Sequence, residues 1–117
     1  MRKQNLPRAV GVRHAKEIIL SGKPFTANEA CEWGILNSVC DDDKLMEETL
    51  GIARKICNNA PISTRQAKKS MNVATQTDLK TGYAFEIEAY NRMVPTEDRL
   101  EGVRAFNEKR KAQFKGW

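Results

Sequence analysis

Thr96-Glu97-Asp98-Arg99-Leu100-Glu101-Gly102-Val103-Arg104-Ala105-Phe106-Asn107-Glu108-Lys109-Arg110 reads as a helix opened by acids and closed by bases, and Phe114-Lys115-Gly116-Trp117 follows as a short aromatic tail. The Thr96 hydroxyl is placed to cap the first turn, and Glu97 and Asp98 set negative charge against the positive end of the helix dipole. Leu100, Val103 and Phe106 recur at three-residue steps and so share one side, which is expected to pack against something. Lys109, Arg110, Lys111 and Lys115 collect where the last helix carbonyls lack partners, with Glu108 as the acid among them. Two readings follow for that basic cluster: electrostatic capping of the helix end, or contact with a phosphate-bearing ligand.

Outward from this stretch the pattern stays helical. Val12, Ala15, Ile18 and Ile19 predict a first helix over about Val10 to Leu20, stopped by Ser21-Gly22. Thr26-Ala27-Asn28-Glu29 is a capping-box pattern that opens a short helix ended by Gly34. Ile35 to Cys40 is too short for a helix and β-branched at intervals, which predicts an extended segment or an edge strand. Asp41 to Asp43 open the next helix, with Met46, Leu50, Ala53, Ile56 and Cys57 on one face and Asn58-Asn59 at its end. Pro61 suits the first turn of another, with Ala67, Met71 and Ala74 inward and Arg65, Lys68 and Lys69 outward.

Thr77 or Asp78 then starts the longest helix, which should end before Pro95 because the residue preceding a proline is pushed out of helical geometry. That helix carries two apolar stripes. Tyr83, Ile87, Tyr90 and Val94 form one, and Phe85, Ala89 and Met93 form another displaced by roughly 120 to 160 degrees. Two stripes predict either a central helix of a bundle or a helix between its own core and a second subunit. The expected fold class is all-α, several amphipathic helices with one short extended segment.

Composition narrows the class further. A chain of 117 residues, 40% hydrophobic and 30% charged, suits a single helical region rather than a disordered one. No apolar run reaches the roughly twenty residues of a membrane span, and the basic start Met1-Arg2-Lys3 is not followed by the apolar core of a secretory signal. Cys31, Cys40 and Cys57 are odd in number and irregularly spaced, and His14 is the one histidine. This pattern argues against a disulfide framework and a zinc site and points to a reducing compartment. The net charge of +5 invites an anionic partner, whether nucleic acid, an acidic protein or a phosphate-bearing small molecule. Trp33 is expected in the core with Cys31 as a small filler beside it, and His14 on a helix surface.

The ordered motifs resemble the carboxy-terminal helical region of the enoyl-CoA hydratase/isomerase, or crotonase, family. They run through Gln4 to Gly11, Ala15 to Gly22, Ala27 to Ala30, Trp33 to Val39, Asn59 to Ile62, Gln66 to Lys68, and the closing helix with its tail. The likeness covers the chain from Gln4 onward. It departs at the start, where Met1-Arg2-Lys3 stands in place of a Gly-Gly-Thr run and Asn5 in place of an arginine. The resemblance implies a C-terminal part of a crotonase-like fold, with the ββα spiral core, the oxyanion-hole amides and the two water-handling glutamates lying outside the chain. It therefore implies no catalytic residue here, and Glu86, Glu88 and Glu101 are expected to be solvated or ion-paired.

It also implies acyl-CoA metabolism: syn addition of water to a 2-trans-enoyl-CoA thioester, with CoA as part of the substrate and no metal or redox cofactor. Assembly would be as a homotrimer or a dimer of trimers, in the cytoplasm, or the mitochondrial matrix for a eukaryotic source. Tyr90 matches an aromatic position near the adenine of CoA, and Lys109 matches a lysine that approaches its phosphates. An aromatic face accepts a purine and an ammonium is a compact phosphate partner, although a place in the apolar stripe also suits Tyr90 to a core. Isomerases and other CoA-ester lyases share much of this region. The alternative from another class is a small basic helical protein that binds nucleic acid, against which stands the lack of a helix-turn-helix glycine pattern or an interleaved aromatic and basic stripe.

Overall fold

The structure, a computed structural model, describes residues 2–117. Seven α-helices and one 3-10 turn account for the regular structure among the described residues, with no strand: α1 (Arg2–Val10), α2 (Val12–Ser21), α3 (Ala27–Glu32), the 3-10 turn Asp42–Lys44, α4 (Leu45–Cys57), α5 (Pro61–Ala74), α6 (Leu79–Asn91) and α7 (Glu97–Asn107). The chain divides into two compact units, Met1–Glu48 and Thr49–Trp117, the division falling inside α4. No helix is long and apolar enough to cross a membrane.

In the first unit α1 packs on α2. The helix expected over about Val10 to Leu20 is α2, and α1 before it is a further helix, separated from α2 by Gly11, whose φ of 80° no side-chain-bearing residue adopts easily. Pro7 lies inside α1. It removes one backbone donor from the second turn of a helix that packs on α2. The capping box at α3 forms as expected: the Thr26 amide donates to the Glu29 carboxylate at 2.7 Å and the Glu29 amide donates to the Thr26 hydroxyl at 3.2 Å. These hydrogen bonds, that from the Thr26 amide foremost, hold the Glu29 carboxyl below its usual range. Gly34, at φ 78°, ends α3: its amide donates to the Cys31 carbonyl and the Ile35 amide to the Ala30 carbonyl. This paired arrangement satisfies two carbonyls of the last turn. Ile35 to Cys40 then runs as bends and irregular chain, without a ladder partner.

Trp33 is half-buried rather than core. The edge of the His14 ring meets it at 4.5 Å between centroids, and Phe25 lies 5.1 Å from it. His14 is therefore half-buried against an aromatic cluster instead of lying on an open surface.

In the second unit α5 packs on α6. Pro61 occupies the first turn of α5 as expected. The inward face does not follow: Ala67, Met71 and Ala74 are exposed, while Ile62, Ser63, Gln66, Ser70 and Val73 are half-buried. Both sets keep helical spacing, and hydropathy alone ranked the wrong one. Asp78 caps α6 by accepting from the Thr81 amide at 3.0 Å. With 13 residues α6 is shorter than α5 with 14, because a turn over residues 92–95 takes up the stretch before Pro95. Its two stripes separate cleanly: Ala89 is buried and Phe85 and Met93 half-buried, whereas Tyr83, Ile87, Tyr90 and Val94 are exposed.

Among the described residues the buried hydrophobic ones are Ala15 and Ala30 in the first unit and Ala89 and Ala105 in the second, all alanines. Close helix approach suits the small side chains of Ala15, where α2 packs on α1, and Ala89, where α6 packs on α5. It also means that little apolar area is withdrawn from water, since a methyl group contributes only about 0.8 kcal/mol when buried.

Candidate functional site

The closing helix was expected to pack through Leu100, Val103 and Phe106. Those three are exposed, Phe106 at 84%. The inward face of α7 is the opposite one, Asp98, Glu101, Gly102 and Ala105, at the i, i+3, i+4, i+7 spacing of a helix stripe. Its polar composition has a cause in the tail. Residues 110–117 have no regular structure, so their backbone donors need partners from elsewhere.

Asp98 and Glu101 supply them. The Asp98 carboxylate, in a residue only 3% exposed, accepts from the Lys115 amide at 2.6 Å and the Gly116 amide at 2.8 Å, and the Asp98 amide donates to the Trp117 carbonyl at 3.0 Å. Glu101 accepts from both terminal nitrogens of Arg110, at 2.6 and 2.9 Å, and from the Gln113 amide at 2.9 Å. The Phe114 ring lies over Gly102, where an added methyl group would sit 3.6 Å from it. The tail is thus hydrogen-bonded along α7 from Arg110 to Trp117.

Hydrogen bonds from Arg110, and secondarily from the Gln113 amide, hold the Glu101 carboxyl at about 2 against an ordinary 4.5. A depressed carboxyl stabilises the fold fully above the ordinary value, and the contribution is lost as pH falls toward the folded value. Chemical denaturation should therefore show a constant stability advantage of the wild type over Glu101→Gln above pH 4.5, shrinking as pH falls toward 2. An advantage independent of pH across that window would rule this out.

Lys109 follows the helix directly. It is the one residue other than glycine with a positive φ among the described residues, at 53°. Its amide donates to the Phe106 carbonyl at 3.2 Å and the Arg110 amide to the Ala105 carbonyl at 3.0 Å, the same two bonds that Gly34 organises at the end of α3. The left-handed conformation costs a lysine about 1 kcal/mol that a glycine avoids. Lys109 makes no ion pair among the described residues. The basic cluster therefore divides: Arg110 is bound by carboxylates, whereas Lys109, Lys111 and Lys115 make no ion pair among the described residues.

Tyr90 sits in the last turn of α6, on the exposed stripe, 50% accessible. Both expected site residues thus lie at helix C-terminal ends of one unit with their side chains open. One groove of this unit, about 340 Å³, is lined by Met71, Ala74, Asp78 and Tyr83 among others, and another of about 550 Å³ by Arg104, Arg110, Lys115 and Trp117 with three carboxylates. Neither Tyr90 nor Lys109 lines either groove. Phe106 was read from the sequence as packing. Its exposure beside Lys109 makes it a further aromatic face at the same helix end, and helical spacing gave no signal to tell it from a core position.

The carboxylates expected to be solvated or ion-paired are so. Glu88 pairs with Arg92 at 3.4 Å, Glu101 with Arg110, and Glu86 is exposed. Cys31, Cys40 and Cys57 are free thiols. Desolvation first, then Glu48 and neighbouring aspartates, raises the Cys40 thiol above its ordinary range, which disfavours the thiolate. Among the described residues no group of three or more His, Cys, Asp or Glu side chains could hold a metal ion.

An all-helical arrangement of this kind is the C-terminal helical part of the crotonase fold. The crystal structure of an enoyl-CoA hydratase from Bacillus anthracis superimposes with a TM-score of 0.94 at 43% identity, over 98% of this chain and 45% of that one. A sequence model of the enoyl-CoA hydratase/isomerase family matches residues 1–117, and the chain belongs to that family. A Bacillus subtilis protein named for enoyl-CoA hydratase/isomerase is 46% identical over 113 residues, 97% of this chain and 44% of the relative. The human mitochondrial methylglutaconyl-CoA hydratase is 38% identical over 117 residues, 97% of this chain and 34% of the relative. The chain spans less than half the length of these relatives.

Proposed function

We propose that this helical region works within a complete enoyl-CoA hydratase that adds water to a 2-trans-enoyl-CoA thioester, and that it serves assembly and substrate binding rather than the proton transfers. Tyr90 and Lys109 are assigned to the nucleotide end of CoA, the aromatic ring to adenine and the ammonium to phosphate. Homo-oligomeric assembly, as a trimer or dimer of trimers, would cover exposed apolar stripes such as that of α6.

The observation that carries this reading is Lys109. A lysine without an ion pair among the described residues, held in a backbone conformation that suits glycine better, is accounted for by a side chain needed at that place. The exposed Phe106 and Tyr90 rings support it, and so does membership of the enoyl-CoA hydratase/isomerase family.

In the complete enzyme, Lys109→Ala should weaken acyl-CoA binding by about 1–3 kcal/mol, the range of a charge-assisted hydrogen bond, with little change in turnover number. Lys109→Gly should lose the same affinity while raising stability by about 1 kcal/mol, which separates the side chain's role from the turn's. Tyr90→Ala should act in the same direction on affinity, with thermal stability measured alongside. A substrate lacking the nucleotide should feel neither change. Normal acyl-CoA affinity together with loss of a salt-sensitive RNA affinity would transfer the basic tail to nucleic-acid binding.

A further inference from the structure

We infer that Glu101 is a positioning residue for Lys109: by clamping Arg110 it fixes the turn that presents the Lys109 ammonium to an anionic ligand and removes Arg110 as a competing cation. This rests on the reading of Lys109 as a phosphate contact.

Lys109 sits between two residues that are tied to each other. The Glu108 carboxylate accepts from Arg110 Nε, bridging across Lys109, and Glu101 takes both terminal nitrogens of the same guanidinium at 2.6 and 2.9 Å. Every nitrogen of that guanidinium therefore faces a carboxylate. Glu101 itself is anchored on the inward face of α7, its side chain only 16% exposed, and the Gln113 amide holds one of its oxygens at 2.9 Å. The clamp thus joins a fixed helix position to the residue directly after Lys109.

The end of α3 gives the comparison within the chain. There the same two backbone bonds form around Gly34, which adopts its positive φ without steric cost. At the end of α7 a lysine takes that place, and a residue in a sparsely populated conformation persists when its surroundings over-determine it. The Glu101–Arg110–Glu108 arrangement supplies that constraint. It also changes the local charge: with Arg110 held by two carboxylates, a phosphate approaching the helix end meets the Lys109 ammonium without competition from the adjoining guanidinium.

The test uses the complete enzyme and titrates coenzyme A and, separately, pantetheine, which lacks the nucleotide and its phosphates. Glu101→Gln should raise the Kd for coenzyme A about three- to tenfold and leave that for pantetheine unchanged. In a Lys109→Ala background the same substitution should cost nothing further, because the residue it positions is gone. Arg110→Lys, which keeps the charge but loses the fork, should show the same dependence on Lys109 and takes the place of Glu101→Gln should that variant fail to fold. If Lys109→Ala weakens coenzyme A binding but the clamp variants do not, or their losses multiply with it, the positioning role is wrong and the Lys109 contact stands. If Lys109→Ala leaves the Kd unchanged, the contact fails and the positioning role with it.

Discussion

Asp98→Ala, introduced into the complete enzyme, should release residues 110–117 from α7 and lower folding stability by about 2–4 kcal/mol. The carboxylate is buried and receives two backbone donors from Lys115 and Gly116, so its removal leaves both amides without a partner in place. Their recourse is water, reached by lifting the tail. Hydrogen exchange should report this as lost protection at Lys115 and Gly116, and trypsin should gain access to the bonds after Lys111 and Lys115. Asp98→Asn keeps one acceptor but turns an amide donor toward a backbone donor, so most of the loss should persist. Unchanged exchange in both variants would mean that the tail is held by Phe114 over Gly102 and the Glu101 clamp instead. Because the tail follows Lys109 directly, acyl-CoA affinity should fall with it.

The chain 1–117 produced alone should not be a well-packed monomer. Among the described residues the buried hydrophobic ones are alanines, while Tyr83 and Ile87 on α6, Val94 in the turn after it, and Leu100, Val103 and Phe106 on α7 stand exposed. Covering a fully exposed side chain of this size is worth about 1.5–3 kcal/mol, so the two stripes forgo on the order of 5–10 kcal/mol. Surfaces of this kind associate or are left on a loosely packed chain. Sedimentation velocity at micromolar concentration should show oligomers, or circular dichroism a broad thermal transition with helical signal retained. A compact monomer with a sharp cooperative melt would contradict it. On the proposed division of labour the same preparation should hydrate crotonyl-CoA at no more than the background rate.

Helix identity was legible where local chemistry decides it. The Thr26/Glu29 capping box, Pro61 at the start of α5, Asp78 before α6 and Thr96 before α7 are short-range arrangements, set by side chains within reach of the first amides. The all-helical class followed from their repetition, and the ordered motifs carried the family. Tyr90 and Lys109 came from the resemblance; the structure adds that both side chains are open and that Lys109 stands in a left-handed turn. Phe106 was read as packing and is exposed, because a helix period marks a residue's side and says nothing of what faces it.

By itself, then, the sequence determined that the chain is helical, where most helices begin and to which family it belongs, since capping, helix period and ordered motifs are properties of neighbouring residues. Tertiary structure alone decided the faces. In α7 the apolar side turns out and the side with Asp98 and Glu101 turns in, because the irregular tail needs acceptors for its amides more than the helix needs to bury Leu100 or Phe106. The same holds for α5, whose half-buried face is not its most apolar one. Which side of an amphipathic helix is buried depends on what approaches it, and that partner lies far away along the chain.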